Sequence, residues 1–342
     1  MPHRTFFWFI LPSMLAMVIF IALPIASVAV QSMYIEHQRV MATGDTCGPF
    51  GCTKELSVDG AAGQAAQAAQ PLGQFVGIGT YLNRSHLAVA ETAQAWRESR
   101  GLRDFAARML QLPLYKALAF TLTYVAFATP AALGLGFLIA LCVNALPGYV
   151  KGPTIFASLL PMIVTPLIGS LVLFWMIDAN GVIGASLQRL FGNPDLSLKA
   201  SAGLTWITLV VYGTWQSIPF AFIVFYAGLQ TVPQDTLESA MVDGASRLER
   251  VRYVVLPHLA PLAVFVALIQ VMDNFRVFEP IVGFNAEASA TSLSWMIYND
   301  LKGQGAQLFG SAAATSVLTI LGVSVLMTPG LLSVWRDFVR RR

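Results

Sequence analysis

Residues 117–150 read ALAFTLTYVAFATPAALGLGFLIALCVNALPGYV, without one Asp, Glu, Lys or Arg. A helix needs about 20 apolar residues to cross ~30 Å of hydrocarbon, so this run is long enough to span a bilayer. Five more runs lack those four residue types: 5–35, 152–177, 200–234, 253–272 and 303–335. Inside lipid there is no water to bond the backbone, and a chain that satisfies its own amides and carbonyls in one segment is helical. The sequence therefore predicts an all-α, polytopic membrane protein with six transmembrane helices. Composition agrees: 56% of the 342 residues are hydrophobic and 11% are charged, against roughly 25% charged in soluble domains. Six such runs would leave a soluble core without polar faces to present to water.

The first run also has the outline of a signal peptide, with Arg4 ahead of it and Ser27-Val28-Ala29 as a small-residue cleavage site. Its apolar stretch, Phe6 to Val30, exceeds the roughly 7–15 residues of a signal-peptide core. Residues 1–30 are therefore read as the first transmembrane helix. Basic residues in short loops set the orientation. With the N-terminus in the cytoplasm, Arg4, Lys151, Arg247, Arg250, Arg252, Arg336, Arg340, Arg341 and Arg342 lie inside, whereas Arg189, Lys199 and Lys302 lie outside. Both termini are thus expected in the cytoplasm of a cell whose inner membrane the chain crosses. Residues 31–113 become an extracytoplasmic (periplasmic) insert, irregular and low in complexity in its first half and helical over about 84–111. Residues 114–335 form a five-helix core, and 336–342 a basic cytoplasmic tail.

The insert carries Cys47 and Cys52 in Cys-Gly-Pro-Phe-Gly-Cys. A disulfide closing this small loop suits an oxidising compartment. Two free thiols and a metal pair are the other readings, and no further Cys or clustered His supports a metal. Cys142 falls inside the second span and reads as a small packing residue.

Between the fourth and fifth runs, the cytoplasmic loop 231–258 reads TVPQDTLESAMVDGASRLERVRYVVLPH, too polar to cross a bilayer. Pro233 suits the first turn of a helix. Asp235 and Glu238 favour the positive end of its dipole, and Leu237, Ala240 and Met241 recur at helical spacing. Asp243-Gly244 stops that helix, the glycine supplying a left-handed backbone. A second short helix, 246–255, places Leu248, Val251 and Val255 among charges, and Pro257 ends it. An amphipathic helix–Gly–helix on a cytoplasmic surface suits docking in a groove of another protein.

Glu238-Ser239-Ala240, Asp243-Gly244-Ala245 and, eight residues on, Val254-Val255-Leu256-Pro257 resemble the EAA-loop signature of ABC importer permeases, with Ser239 for the usual Ala and Val254 for the usual Ile. Phe75 to Tyr81, Phe120-Thr121-Leu122, Pro161, Pro166, Trp215, Pro219-Phe220, Leu229 to Pro233, Thr291 to Tyr298 and Gly310 to Ala314 extend the resemblance over roughly 72–335, toward the maltose-type, carbohydrate-importing branch. The resemblance implies the ABC importer type I transmembrane-domain fold. It implies that Glu238, Ser239, Ala240, Asp243, Gly244, Ala245, Leu256 and Pro257 couple the chain to a separate ATPase, with Gly244 making the turn and Glu238 facing a basic residue. It implies as partners a second permease, two ATP-binding cassette subunits and a periplasmic solute-binding protein. The chain departs from the sugar branch at Val282 to Glu287, where Thr-Gly-Gly-Pro is usual, at Gly184, where Asn is common, and in the length of its insert.

Ionisable groups within a span are costly and are functional candidates by default. The fifth span carries Asp273, Asn274, Arg276 and Glu279, and steps of three place the charged three on one side of a helix. They read either as an intrahelical cluster that lets Arg276 be buried, or as a polar lining of the translocation path. Trp215 and Gln216 in the fourth span are further candidates, and His258 beside Pro257 reads as structural. No Gly-x-x-x-x-Gly-Lys-Ser/Thr phosphate loop occurs, so ATP binding is expected on another polypeptide. No catalytic set, metal cluster or resident cofactor is expected, and a net charge of +3 without a basic patch gives no sign of nucleic acid. The leading reading is a permease subunit of an ATP-driven importer of a sugar or sugar-like solute. The alternatives are the same importer class for a glycerol phosphodiester or amino acid, or an ion-gradient-driven transporter, which internal repeats would have suggested.

Overall fold

The computed structural model describes residues 3–36, 41–48, 51–58, 68–193, 196–302 and 308–340. The first helix, α1, runs through His3–Met17, a π-helical turn Val18–Ala22 and Leu23–Gln31. Four strands and two short helices follow: β1 (Tyr34–Ile35), β2 (Met41–Gly48), β3 (Gly51–Val58), β4 (Gln74–Phe75), α2 (Gly79–Leu82) and α3 (Val89–Glu98). Then come α4 (Leu102–Met109), α5 (Pro113–Asn144), α6 (Gly148–Ile163), α7 (Pro166–Met176), α8 (Val182–Phe191), α9 (Ala202–Leu229) and α10 (Gln234–Val242). The helix α11 joins Arg247–Arg250, a π turn Val251–Val255 and Leu256–Phe275, and is followed by α12 (Glu279–Gly283), α13 (Leu293–Lys302) and α14 (Phe309–Arg340).

Among the described residues, five helices are long and apolar enough to cross a membrane: Phe6–Gln31, Pro113–Asn144, Ala202–Leu229, Arg247–Phe275 and Phe309–Arg336. The sixth apolar run is not one straight helix. It is the pair Gly148–Ile163 and Pro166–Met176, bent by 91°. Proline disfavours helical backbone in the residue before it, and Val164 (φ −78°, ψ 123°) and Thr165 (φ −62°, ψ 140°) are both extended.

Contacts divide the chain into two compact units, Met1–Lys116 with Met296–Ile320, and Ala117–Trp295 with Leu321–Arg342. In the first unit, the insert has more structure than its composition suggests. β2 and β3 form an antiparallel hairpin in which Cys47 pairs with Cys52 and Gly48 with Gly51. β1 pairs with β4. The expected helix over 84–111 is two helices, broken where Ser99 and Gly101 take extended backbone. Arg108 ties them, 3.0 Å from Glu98 and 3.3 Å from Asp104, and Trp96 meets Phe105 edge-on at 5.1 Å.

The anchor of this unit is His86, which is fully buried. The backbone N–H of His86 donates to Asn83 Oδ1 at 3.2 Å, and Nδ1 lies 2.8 Å from that same oxygen. Nε2 lies 3.1 Å from Thr315 Oγ1 on α14. Ser311 donates to Asp300 at 2.7 Å. Burial pushes the Asp300 carboxyl above its ordinary value, and that hydroxyl bond partly offsets the rise. Glu36 accepts from the Gly310 amide, and Tyr115 donates to the Leu87 carbonyl at 3.0 Å.

In the second unit, α9 packs on α6 and α11, and α12 on α7. Packing between membrane helices relies on close approach through small residues. A Cβ added at Gly136 of α5 would lie 2.6 Å from Ala221 Cβ and 2.9 Å from the Phe222 amide of α9. One apolar cluster gathers Phe120, Leu209 and Ile281, and a second gathers Val143, Phe222, Phe225 and Leu259. Outside the spans, Lys199 bonds Asp178 at 3.1 Å and holds its carboxyl below the ordinary range.

His86→Leu removes the imidazole and leaves the Thr315 hydroxyl buried without it. Thermal unfolding of the detergent-purified chain should show a loss of about 1–3 kcal/mol. An unchanged transition would show that His86 is not an anchor.

Candidate functional site

The second unit contains a cavity of about 560 Å³, lined by Tyr124 of α5, Tyr212, Gln216 and Ser217 of α9, and Gln270, Asp273, Asn274, Arg276 and Glu279 around the end of α11, among others. The lining residues meet where helices stop. At the α6–α7 break, Val164 lies outside both helices and Pro166 opens α7. Gln216 Nε2 donates to the carbonyl of the first at 2.9 Å and Tyr212 Oη to that of the second at 2.8 Å. At the end of α11, the Val277 carbonyl accepts from Ser292 at 2.5 Å. The Ser217 carbonyl accepts from Gln270 Nε2 at 3.0 Å. Irregular backbone at membrane depth is tolerated where it is buried in protein or lines a cavity, and Gln216 and Ser292 supply donors to the two carbonyls, of Val164 and Val277, that lie outside the helices.

Asp273, Arg276 and Glu279 do not lie on one helix face. α11 ends at Phe275, Arg276 takes φ −94°, ψ 21°, and Glu279 opens α12. The turn at 276–278 nonetheless brings all three to the cavity wall. Arg276 pairs with Asp273 at 3.0 Å and is 57% exposed, so the pair does not serve to bury Arg276 within this chain. Asn274 also borders the cavity, but it is buried and its amide donates to Thr129 at 2.9 Å. Trp215 is 43% exposed and stands against Tyr212, ring centroids 5.9 Å apart, rather than among the lining residues. With the two amides oriented by their donor ends, Gln216 Oε1 and Gln270 Oε1 are buried without a hydrogen-bond partner.

Tyr124, Tyr212 and Gln270 escaped the sequence reading. A signal was present: Tyr212 and Gln216 are four apart, and Gln270 lies three and four before Asp273 and Asn274, which puts a polar stripe on each apolar helix. Space is also set by glycine. A Cβ at Gly213 would fall 1.7 Å from Tyr124 Oη.

The polar segment between the fourth and fifth apolar runs folds as two helices about a glycine. Pro233 sits one residue before α10, and α10 ends at Val242. Gly244 has φ +82°, with nothing within 4 Å of an added Cβ. Ser246 opens α11 with a capping box to Glu249. Leu237 packs on the Phe222–Leu259 cluster. Glu238, Ser239, Asp243 and Leu256 are exposed, and Ala240 and Ala245 are half-buried. Met241 (49%), Val242 (88%) and Leu248 (77%) are exposed apolar side chains flanking the turn. Pro257 does not end the second helix. The chain stays helical through to Phe275, and the π turn Val251–Val255 just ahead of Pro257 makes room for a residue that lacks an N–H and crowds the carbonyl four residues back. His258 Nε2 lies 3.1 Å from Thr231 Oγ1, tying the start of that span to the end of α9.

Residues 105–328 match the family of binding-protein-dependent transport system inner membrane components. The probable ABC transporter permease protein y4oQ of Sinorhizobium fredii is 30% identical over 70% of this chain and 76% of that protein. The sn-glycerol-3-phosphate transport system permease protein UgpA of Rhizobium meliloti is 29% identical over 64% of this chain and 74% of that protein. The fold is that of a subunit of a bacterial ABC transporter involved in the import of the acidic polysaccharide alginate, with a TM-score of 0.58, 20% identity, and coverage of 73% of this chain and 88% of that one.

The two neighbours Asp273 and Asn274 should behave oppositely. Asn274→Ala orphans a buried hydroxyl and should cost about 1–3 kcal/mol in thermal unfolding. Asp273→Asn breaks a solvated pair and should cost under about 1 kcal/mol. The reverse order would contradict this geometry.

Proposed function

The chain belongs to the binding-protein-dependent transport system inner-membrane component family, the membrane-spanning permeases of ABC importers, and we propose that it forms half of the path for a sugar or sugar-like solute. On this reading a second permease supplies the other half, a periplasmic binding protein delivers the solute, and two ATP-binding subunits dock on residues 235–256. ATP is bound by those subunits, since this sequence holds no phosphate loop. Both termini lie in the cytoplasm, which the basic residues at 247–252 and 336–342 favour.

The observation that carries the proposal is the pairing of an exposed, glycine-hinged helix pair with a polar cavity in the same unit. Met241, Val242 and Leu248 have no partner surface to cover them among the described residues, and a groove in an ATPase would supply one. Gly244 holds the angle between α10 and α11, so force applied to α10 passes into the helix whose far end carries Asp273 and Arg276. The relatives named for sn-glycerol-3-phosphate suggest a second reading, an anionic cargo. The cavity favours the first. Its one guanidinium is paired to Asp273, Glu279 has no ion pair among the described residues, and the unpartnered Gln216 and Gln270 carbonyls accept hydroxyl donors.

The test is to purify the tagged chain from its native membrane and assay the complex for solute-stimulated ATPase activity. A β-branched residue at Gly244 is strained by about 1–2 kcal/mol in the left-handed region, whereas Asn tolerates it. Gly244→Val and Glu238→Lys should release or uncouple the ATPase, and Gly244→Asn should keep it. Full coupling in all three variants would remove 235–256 from the drive. In the insert, the Cys47–Cys52 register suits a disulfide, because opposed residues in an antiparallel pair lie about 4.5–5.5 Å apart at Cα. Thiol alkylation of the chain before and after reduction should then show two extra reactive thiols after reduction, and equal labelling would establish free thiols.

A further inference from the structure

A second cavity, of about 430 Å³, lies at the cytoplasmic root of the helix bundle. Its walls are the ends of two spans, including Leu141 and Asn144 of α5 and Leu229 of α9, together with Leu237 of α10 and the first turns of α11. Most of that lining is apolar, but Arg247 and Arg250 stand in it. Arg250 is half-buried, and its Nε is buried without a hydrogen-bond partner. A buried donor on a charged group is rarely left unmade, and such an atom calls for an ion or ligand. Neither arginine has an ion pair among the described residues.

The nearby acids do not neutralise them. Glu249 is held by its capping box to the Ser246 amide at 2.7 Å. Asp235, Glu238 and Asp243 are exposed and do not line the cavity. A third cation sits at the rim, where Lys151 Nζ donates to the Asn144 carbonyl at 3.3 Å. Gln230 Nε2 donates to Asn144 Oδ1 at 3.0 Å, which joins the two span ends at this level.

We propose that this cavity is a binding site for an anionic phospholipid of the cytoplasmic leaflet, its phosphate on Arg247 and Arg250 and an acyl chain against the leucine and valine walls. The phosphate alone would fit the guanidinium geometry, but the apolar walls have no use for a free anion, and span ends lie at headgroup depth. Basic pockets between transmembrane helices on this face are suited to anionic headgroups. The site touches α10 and α11 together, so an occupied pocket would brace the helix pair. It stands apart from the cargo reading, and its test does not depend on which solute is carried.

The intact complex is moved into nanodiscs of phosphatidylcholine with a minor share of phosphatidylglycerol, and retained lipid is counted by native mass spectrometry. Wild type should retain phosphatidylglycerol in preference. Each of Arg247→Gln and Arg250→Gln should lower that retention about fivefold, the factor that ~1 kcal/mol per basic residue gives. Arg250→Lys should restore part of it. Arg252→Gln removes an exposed arginine outside the cavity and should leave lipid retention at the wild-type level, which separates a local site from general charge. Thermal unfolding of each variant identifies any that loses lipid by misfolding. Equal retention in all variants overturns the proposal. Displacement of the lipid by millimolar inorganic phosphate overturns the lipid source, and loss of the ATPase with lipid unchanged assigns the arginines to a protein carboxylate instead.

Discussion

A chain in hydrocarbon must satisfy its own backbone, and everything distinctive in this molecule follows from where that rule is relaxed. Along most of α5, α9, α11 and α14 the rule is obeyed by unbroken helix. It is relaxed at Val164–Thr165 and at 276–278, and both breaks border the same cavity. There the side chains of Gln216 and Ser292 donate to the Val164 and Val277 carbonyls, while Tyr212 and Gln270 donate to carbonyls of neighbouring helices. The polar groups that keep the breaks stable are therefore many of the groups that make the cavity polar. Stability and solute chemistry share one set of residues.

The same reasoning explains the segment between α9 and α11. α10 and α11 meet at Gly244, where the backbone is left-handed and solvent-exposed, and the cost of the turn is met by a residue without a side chain. Beyond it, the π turn at Val251–Val255 lets Pro257 sit within a continuous helix. Motion of α10 can thus be carried by a rigid rod to Asp273 and Arg276 rather than lost in a joint at the proline. That continuity is what a helix ended by Pro257 would have lacked.

Much of this was legible in the residues. Charge-free length alone marked the apolar runs, five of which are long straight spans and the sixth a bent pair. Pro233, Asp243-Gly244 and the capping residues marked the helix pair. What escaped was the fate of proline and of polar residues inside apolar runs. Pro166 follows a break in its span while Pro130, Pro219 and Pro257 sit within continuous helices, a difference that composition does not encode. Asp273, Arg276 and Glu279 were grouped for the wrong reason, a shared helix face, yet the turn that separates Glu279 from α11 returns it to the cavity. In the insert, the hairpin of β2 and β3 carries no hydrophobic alternation, and its Cys-flanked turn was read as irregular loop.

The central claim is that the cavity opens to alternate sides under the control of ATP. Ser217 lines it, and a chain carrying Ser217→Cys, with Cys47, Cys52 and Cys142 replaced by serine, tests this directly in the assembled complex. A membrane-impermeant thiol reagent applied to either face should label the residue from the cytoplasmic side without nucleotide. With ATP trapped on the partner subunits it should label from the opposite side. Labelling from one side only in both states, or from neither, would contradict the account.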